Sequence, residues 1–279
     1  MKANGSLRQR SIIMNNILLK LAYDGSGFHG WQKQPGVRTV QGELEEKLDA
    51  VLRSPVFLEG TSRTDAGVHA LGQCATLRGE FGIPTDRIPV AVNSLLSDVC
   101  ILSAEEKPEG FHARFDAVGK TYAYRFAVSP PNEIFLRNYT CLLAKSPNID
   151  NMTEAAKYLE GTHDFACFQA AGGTERESTV RTIFAVRITQ ATCTDPAGVS
   201  YEAVEAEVTG DGFLYNMVRI IAGTLTCAGF GKIAPKEICS IIEEKNRALA
   251  GPTAPPGGLY LKEVFFEKEK LMAYTREKD

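Results

Sequence analysis

The chain has 279 residues, of which 44% are hydrophobic and 23% are charged, and its formal net charge is −3. This composition is typical of a globular protein with one large domain or two modest ones, and it excludes a chain that binds nucleic acid through overall positive charge. An RNA-binding function is otherwise neither supported nor excluded, because RNA requires only a local basic cleft.

The seven cysteines are scattered and form no C-x-x-C pair. This pattern argues against a disulfide framework and a structural zinc site, and it indicates a reducing, cytoplasmic environment. No apolar run is long enough to span a bilayer, so we expect no membrane segment. Residues 1–13 are predicted to be a disordered extension, and Met14 is a candidate start of the protein.

Strands and helices are both predicted in the first half of the chain. Apolar residues from Val40 to Val51 recur at helical spacing, which indicates an amphipathic helix. In chain order we predict a strand at 17–23, the helix at 40–53, a short strand between Pro55 and Gly60, a strand at 72–79, a helix at 88–96, and a strand at 120–127 whose Tyr122, Tyr124 and Phe126 share one face.

The second half is predicted to begin with a helix at 151–160, with Asp150 as N-cap and Gly161 as C-cap. Strands are predicted at 180–188 and 200–208, helices at 213–229 and 235–247, and a final strand at 259–266. Several strands follow one another directly, which favours an α+β fold over a doubly wound parallel sheet.

The segment from Arg63 to His69 places Asp65 between an arginine two residues before it and a glycine two residues after it. Glycine permits backbone angles and close approaches that other residues resist, so such a turn can direct a carboxylate into a cleft. A carboxylate can act as nucleophile or general base, and a nearby cation keeps it ionised. The alternative interpretation is that Asp65 caps a short helix beginning at Ala66.

The segment from Gly25 to Gly30 matches the pattern G-x-G-x-x-G and follows a predicted strand. A dinucleotide-binding fold requires a helix to begin at that point. Pro35 follows soon afterwards and prevents a helix from continuing. We therefore predict that these glycines shape a loop.

Several separated motifs resemble the tRNA pseudouridine synthase A family. That family reads G-R-T-D-A-G-V-H around the aspartate, and this chain differs only by Ser62 in place of the first glycine. Other matches are residues 23–32 with Y-D-G-x-x-F-x-G-W-Q, residues 120–122 with K-x-Y, residues 210–219 with G-x-x-F-L-x-x-M-V-R, and segments at 161–168, 181–183 and 254–261. The resemblance runs in order from about Asn16 to Phe266.

The resemblance implies an α+β fold of two ferredoxin-like (RRM-like) halves. Their sheets would join into one mostly antiparallel sheet with a central active-site cleft. Residues 14–115 would then form the N-terminal catalytic half that carries Asp65. Residues 116–279 would form the C-terminal half that carries Arg219, with Tyr122 on the connecting strand.

The resemblance also implies an enzyme that isomerises uridine to pseudouridine at positions 38 to 40, in the anticodon stem-loop of tRNA. The bond from ribose C1′ to N1 is exchanged for a bond to C5, without redox change, so neither a cofactor nor a metal is implied. The target base must first be flipped out, which costs a few kcal/mol. The implied partners are tRNA and a second copy of the chain in a cytoplasmic homodimer.

Four residues receive roles from the resemblance. Asp65 is expected to start the chemistry, by attack on C1′, by attack on the base or by removing a sugar proton. Tyr122 is expected to stack on the flipped base, with a candidate part in removing the C5 proton. Arg219 is expected to hold Asp65 ionised through a bidentate pair, and Arg63 to fill the vacated space or to hold phosphate. The structural alternatives are a core aromatic for Tyr122 and a solvated arginine for Arg219.

Three rival functions follow from the same residues. A non-catalytic RNA-binding module on this scaffold would not need Asp65. A glycosidase or nucleosidase acting on free nucleosides commonly needs two carboxylates, whereas the motif offers one. A dinucleotide-dependent oxidoreductase is the most distant alternative.

Overall fold

The computed structural model describes residues 15–128, 133–173 and 177–276 of the chain. The extension predicted at residues 1–13 lies outside these ranges. Within them, no helix combines the length and the apolarity that crossing a bilayer requires.

The strands of the described residues are β1 (Asn15–Tyr23), β2 (Phe57–Gly60), β3 (His69–Gly79), β4 (Val99–Glu106), β5 (Gly119–Val128), β6 (Cys141–Leu143), β7 (Gly161–Asp164), β8 (Val180–Thr194), β9 (Ser200–Gly210) and β10 (Leu259–Phe265). They form one ten-stranded sheet in the order β4-β1-β3-β10-β5-β9-β8-β7, with β2 beside β3 and β6 beside β5. The pairs β10–β3 and β5–β6 are parallel, and the others are antiparallel. A mixed fold with one large, mostly antiparallel sheet is thereby confirmed, whereas its division into two ferredoxin-like halves stays a prediction.

The α-helices of the described residues are α1 (Val40–Leu52), α2 (Ile88–Asn93), α3 (Ile149–Lys157), α4 (Met217–Gly229), α5 (Glu237–Glu244) and α6 (Lys268–Arg276). In α1, an N-cap and one buried apolar face explain why these residues are helical. The side chain of Thr39 caps it by accepting a hydrogen bond from the Gly42 N–H, and Leu44 and Leu48 bury one face completely.

Strand β10 comes from the end of the chain yet lies between β3 and β5. It runs parallel to β3, with Tyr260 opposite His69, and antiparallel to β5, with Leu261 opposite Tyr122. Neighbouring strands lie about 4.8 Å apart, so the start of β3 and the middle of β5 are separated by two such spacings. This arrangement brings the end of the Asp65 segment close to the strand that carries Tyr122.

The strand that carries Tyr122 also contributes to the core. Tyr124 and Phe126 on β5 are essentially inaccessible to solvent, and their rings lie 4.8 Å apart. The Tyr124 hydroxyl donates a hydrogen bond of 2.7 Å to the Pro255 carbonyl, so this buried phenol keeps a polar partner. The shared aromatic face predicted for β5 is therefore a packing face.

Both cap predictions for α3 are wrong. The side chain of Asn148, not Asp150, caps the helix by accepting a hydrogen bond of 2.9 Å from the Asn151 N–H. Asn and Asp are equally good N-caps, so residue type alone does not distinguish Asp150 from Asn148, which lies two residues before it. Gly161 has a φ of 107° and begins β7 instead of ending α3.

Other boundaries also differ from the predictions. Helix α4 begins at Met217 and not at Phe213, because Asn216 adopts the left-handed conformation with a φ of 58°. Helices α2 and α5 are shorter than predicted. Strands β4, β6 and β7 and helix α6 carry weaker patterns and were not expected from the sequence; in α6, for example, only Leu271 and Thr275 are buried.

Candidate active site

An open cleft of about 1150 Å³ lies where β5, the start of α4 and the segments before β3 and β10 meet. Pockets for small molecules usually measure roughly 300–1,000 Å³, so this cleft is large enough for a bigger ligand. Cations outnumber carboxylates in its described lining, which makes it locally basic in a chain of net negative charge. The Arg, Lys, Asp and Glu side chains that line it are Glu59, Arg63, Asp65, Arg114, Lys120, Arg181 and Arg219.

Asp65 lies on the turn between β2 and β3, and its side chain is 31% exposed in the cleft. Its carbonyl oxygen accepts a hydrogen bond of 3.2 Å from the Val68 N–H, and Gly67 has a φ of 77°. The chain enters β3 directly at His69. The alternative in which Asp65 caps a helix is therefore wrong, and the glycine turn directs the carboxylate into the cleft.

The glycine-rich loop before α1 packs against the backbone of this turn. The Trp31 N–H donates a hydrogen bond of 3.0 Å to the Thr64 carbonyl. A Cβ atom at Gly30 would lie 2.7 Å from that carbonyl oxygen, and one at Gly25 would lie 2.0 Å from the Val68 carbonyl oxygen. The glycines permit this close backbone approach. The loop also lacks the α-helix that a dinucleotide-binding site requires.

Gln73 supports the turn from strand β3. We did not single out this buried side chain from the sequence. It is fully buried on β3, and its amide nitrogen donates a hydrogen bond of 2.8 Å to the Ser62 carbonyl. Its amide oxygen accepts one of 3.3 Å from the Ser62 N–H. The amide thus replaces a strand partner just after the β2–β3 ladder has ended. A glutamine within the stretch from Ala70 to Leu77, where Thr76 is the only other polar residue, is the signal that could have identified it.

Arg219, on the first turn of α4, points back to the Asp65 turn. Its Nη1 atom lies 3.4 Å from Oδ2 of Asp65 and donates a hydrogen bond of 2.7 Å to Oδ1 of Asn216. Its Nε atom donates one of 2.8 Å to the Ala254 carbonyl. The expected pairing is therefore present as a single contact instead of a bidentate fork, because Nε is already bonded to the loop before β10.

Two opposing effects act on the carboxyl group of Asp65. Partial burial disfavours the charged form, whereas the charge of Arg219 and its hydrogen bond favour it. Burial is the larger effect, so the pKa of Asp65 lies above its ordinary value. The pKa of Asp65 is thus shifted in the opposite direction to that of a carboxylate in a simple ion pair. The charge of Arg219 offsets only part of the free-energy cost of desolvating the carboxylate.

Tyr122 is buried and still lines the cleft. Its side chain is 8% exposed, and its ring packs edge to face on Phe213 with the centroids 5.2 Å apart. Burial raises the pKa of Tyr122 to about 12, and the negative charge of Asp65 acts in the same direction. Tyr122 therefore carries a protonated phenol at neutral pH. It combines the predicted cleft position with the packing expected of a core aromatic.

Comparison with known protein families identifies the family to which this chain belongs. A family model described as tRNA pseudouridine synthase matches residues 21–116 and 155–267, which is most of the chain. The chain belongs to the tRNA pseudouridine synthase family.

Individual relatives agree along nearly their whole length. The tRNA pseudouridine synthase A 2 of Clostridium tetani is 43% identical over 254 residues, covering 90% of this chain and 98% of the relative. The tRNA pseudouridine synthase A of Bacillus subtilis is 45% identical over 252 residues, covering 88% and 97%. That of Ruminiclostridium cellulolyticum is 43% identical over 254 residues, covering 91% and 100%. The chain is thus a tRNA-modifying isomerase.

Arg63 is the exposed cation next to Asp65 in this synthase. It lines the cleft, and no ion pair of its guanidinium occurs within residues 15–128, 133–173 and 177–276. Lys120, also in the cleft, donates a hydrogen bond of 3.0 Å to the Thr61 carbonyl and so lies over the same turn. Both cations add positive charge to the cleft on the side of the Asp65 turn.

His69, directly after the turn, has a structural role in the synthase. It is 2% exposed and stacks on Tyr260 with centroids 4.7 Å apart. Its Nδ1 accepts a hydrogen bond of 3.0 Å from the Gly25 N–H, and its Nε2 donates one of 2.9 Å to the Asn138 carbonyl. Burial lowers its pKa, which keeps the imidazole neutral. His69 therefore packs and hydrogen-bonds locally beside the turn.

We predict that Gln73→Leu weakens both folding and activity. The substitution leaves two buried backbone groups of Ser62 without partners, and each such group costs about 1–3 kcal/mol. We expect a lower free energy of unfolding in urea and a single-turnover rate that falls even under conditions where the protein remains folded. Gln190→Leu, at an exposed glutamine of β8, is the matched control. Wild-type stability and rate for Gln73→Leu would show that this amide does not hold the turn.

Proposed function

We propose that this enzyme isomerises uridine to pseudouridine at positions 38 to 40 of the tRNA anticodon stem-loop, and that Asp65 starts the reaction. The observation that carries the proposal is a partly buried Asp65–Arg219 pair in a locally basic cleft, in a member of a tRNA pseudouridine synthase family. In the reaction the C1′–N1 bond breaks and a C1′–C5 bond forms. The C5 proton leaves and N1 gains a proton, so the composition of the nucleoside is unchanged.

The environment of Asp65 suits this role. Partial desolvation makes the carboxylate more basic than one in water, and a more basic carboxylate is a better nucleophile or proton acceptor. The charge of Arg219 favours the ionised form, so the carboxylate is partly shielded from water and still has a cation beside it. The turn fixes its direction through backbone contacts on both sides, which pre-orients it toward a uridine in the cleft.

The other cleft residues divide the remaining work. The Tyr122 ring is largely covered by protein, so we assign its cleft-facing edge to contact the flipped base, with the protonated hydroxyl as a candidate for the C5 proton step. Arg63 is assigned either to fill the space that the base vacates or to bind the phosphate of the flipped nucleotide. Because uridine and pseudouridine are isomers of the same oxidation state, the reaction requires no redox cofactor.

The proposal extends to the organisation of the molecule. Residues 14–115 supply Asp65, residues 116–279 supply Arg219, and Tyr122 lies on the strand that connects these two ferredoxin-like halves. The family resemblance supports a homodimer in the cytoplasm in which each tRNA touches both subunits. Light scattering of the purified protein should then give twice the chain mass of 30.4 kDa.

One observation bears on the nucleosidase alternative. The cleft contains a second carboxylate, Glu59, which a two-carboxylate mechanism would require. Glu59 is 48% exposed and is paired with Arg78 and His112, each at 3.3 Å. An exposed and doubly paired carboxylate is a poor acid or base catalyst, so we favour the mechanism with one carboxylate.

The first prediction from this proposed function concerns Asp65→Asn. With tRNA tritiated at uridine C5, the wild-type enzyme should release tritium, and this variant should release it at least about 10³-fold more slowly because the initiating group is lost. Glu59→Gln is the matched carboxylate control and should keep the wild-type rate.

The label can also locate the target. Tritium confined to positions 38 to 40 should be released, and tritium confined to the D or T loop should be retained. Equal release by Asp65→Asn would remove Asp65 from the chemistry, dependence on Glu59 would favour two carboxylates, and turnover of free uridine would favour a nucleosidase.

The second prediction separates the ring of Tyr122 from its hydroxyl. Since the ring is mostly buried, Tyr122→Phe should preserve folding and tRNA affinity but slow the single-turnover reaction, and Tyr122→Ala should slow it further. The affinity is measured by filter binding at fixed salt, because phosphate contacts depend on ionic strength. Loss of tRNA binding without any change in rate at saturation would mean that Tyr122 only positions RNA.

The third prediction concerns pH. The folded-state pKa of Asp65 is raised by burial and held down in part by Arg219. Replacing Arg219 by Met removes the lowering effect, so the pKa should rise further and the acid limb of the single-turnover rate should move to higher pH. Arg219→Lys keeps the charge and should shift the limb less. An acid limb that stays in place in Arg219→Met would contradict electrostatic control of Asp65 by this arginine.

A further inference from the structure

Several aromatic side chains of the cleft have no role in the chemistry described so far, and Phe115 is the most exposed of them. Phe115 is 73% exposed, the largest exposed fraction among the large apolar side chains of the described residues, and it lines the same cleft as Asp65. A phenylalanine in this position contributes little to the core and leaves apolar surface in water. A single exposed apolar side chain is ordinary on a protein surface, so the inference depends on where this ring lies and on which groups surround it.

The turn that carries Phe115 is fixed from within the core. Ala113 is fully buried, and its N–H donates a hydrogen bond of 2.8 Å to the Thr76 hydroxyl. Its carbonyl accepts one of 3.1 Å from the Thr61 hydroxyl, which lies just before the Asp65 turn. The Phe115 N–H donates a bond of 3.1 Å to the His112 carbonyl. The exposed ring is therefore held on a preorganised turn connected to the active-site segment.

The neighbours of the ring have the chemistry of a nucleic-acid site. The His112 ring lies 4.4 Å from the Phe115 ring, between centroids, and the Arg114 guanidinium carbon lies 5.6 Å from its centroid. Arg114 and Phe115 are both exposed, and Arg63 and Lys120 line the same cleft. An exposed aromatic face beside cations is the combination that binds an unstacked base and its phosphate.

We propose that Phe115 is a stacking platform for an unpaired tRNA base next to the uridine being isomerised, and that Arg114 contacts the adjoining phosphate. The proposal rests on the proposed entry of the anticodon stem-loop into this cleft. When the target uridine is flipped out, its neighbour loses a stacking partner. The Phe115 ring replaces that partner, and it accepts any base because every base offers a π-face.

A protein partner is the competing occupant of an exposed ring. The cations beside Phe115 and its place in the substrate cleft favour RNA, because a surface that docks a protein would also block tRNA. Stacking on an aromatic ring also depends on a flat face, whereas an apolar protein contact would accept any side chain of similar size. This difference separates the two occupants in an experiment.

The test compares four variants of the full-length protein with an unmodified tRNA transcript. Phe115→Ala should raise the Kd for tRNA about 5- to 150-fold, as expected for one lost base–aromatic stack, and should leave the rate at saturating tRNA nearly unchanged. Phe115→Leu should behave like Phe115→Ala, whereas Phe115→Trp should keep wild-type affinity. Phe57→Ala is the matched control, because Phe57 is 67% exposed on β2 and does not line the cleft.

A fluorescent base locates the contact directly. With 2-aminopurine beside the target uridine, the saturated complex with Phe115→Ala should fluoresce more brightly than the saturated wild-type complex, because the analogue then stacks on neither the uridine nor the ring. Wild-type Kd in Phe115→Ala, or wild-type affinity in Phe115→Leu, would overturn the stacking proposal. If Phe115→Ala has a lower mass in light scattering and loses tRNA affinity only to the extent that it dissociates into monomers, the ring is assigned to a subunit contact instead. Tritium release by the wild-type enzyme is scored separately, so its absence would reject the function and not this residue alone.

Discussion

Asp65 and Arg219 are separated by 154 positions in the chain, and their side-chain atoms lie 3.4 Å apart. The site depends on this contact because each partner comes from a different structural context, one from a turn before β3 and the other from the first turn of α4. Arg219 is in turn bonded to the loop before β10 through Ala254. Asp65 is thus held by elements distributed over most of the fold, and a disturbance of any of them changes the environment of one carboxylate.

The sheet fixes the relative positions of the segments around this contact. Strand β10 pairs with β3 on one side and β5 on the other, so the end of the chain joins the segment after Asp65 to the strand of Tyr122. The turn itself has few degrees of freedom. Glycines at positions 25 and 30 let a neighbouring loop approach its backbone, and Gln73 satisfies both polar backbone groups of Ser62. A carboxylate supported in this way can stay partly desolvated without moving out to water, and its raised pKa is the electrostatic result.

The same support extends to the cleft wall. The buried hydroxyl of Thr61 binds the carbonyl of Ala113, so the turn bearing Phe115 and the turn bearing Asp65 share an anchor. Rigid placement lowers the entropy cost of binding a ligand in this cleft, because the exposed groups are already oriented. The cleft therefore combines a basic lining, a shielded carboxylate and an exposed aromatic ring in a chain whose total charge is negative.

Local patterns in the sequence determined the elements with strong periodicity, such as α1 and β5, and ordered motifs indicated the family together with Asp65, Tyr122 and Arg219. Such signals are readable because neighbouring residues carry them. Weakly patterned elements such as β4 and α6 bury few side chains, and the choice between Asn148 and Asp150 as cap depends on side-chain geometry rather than on composition. Only the tertiary structure decided that Arg219 makes one contact instead of two, that burial outweighs its charge at Asp65, that Gln73 supports the turn and that Phe115 remains exposed. Each of these depends on contacts between residues far apart in the chain, and the free energy of burial is a property of the assembled surroundings, not of any single residue.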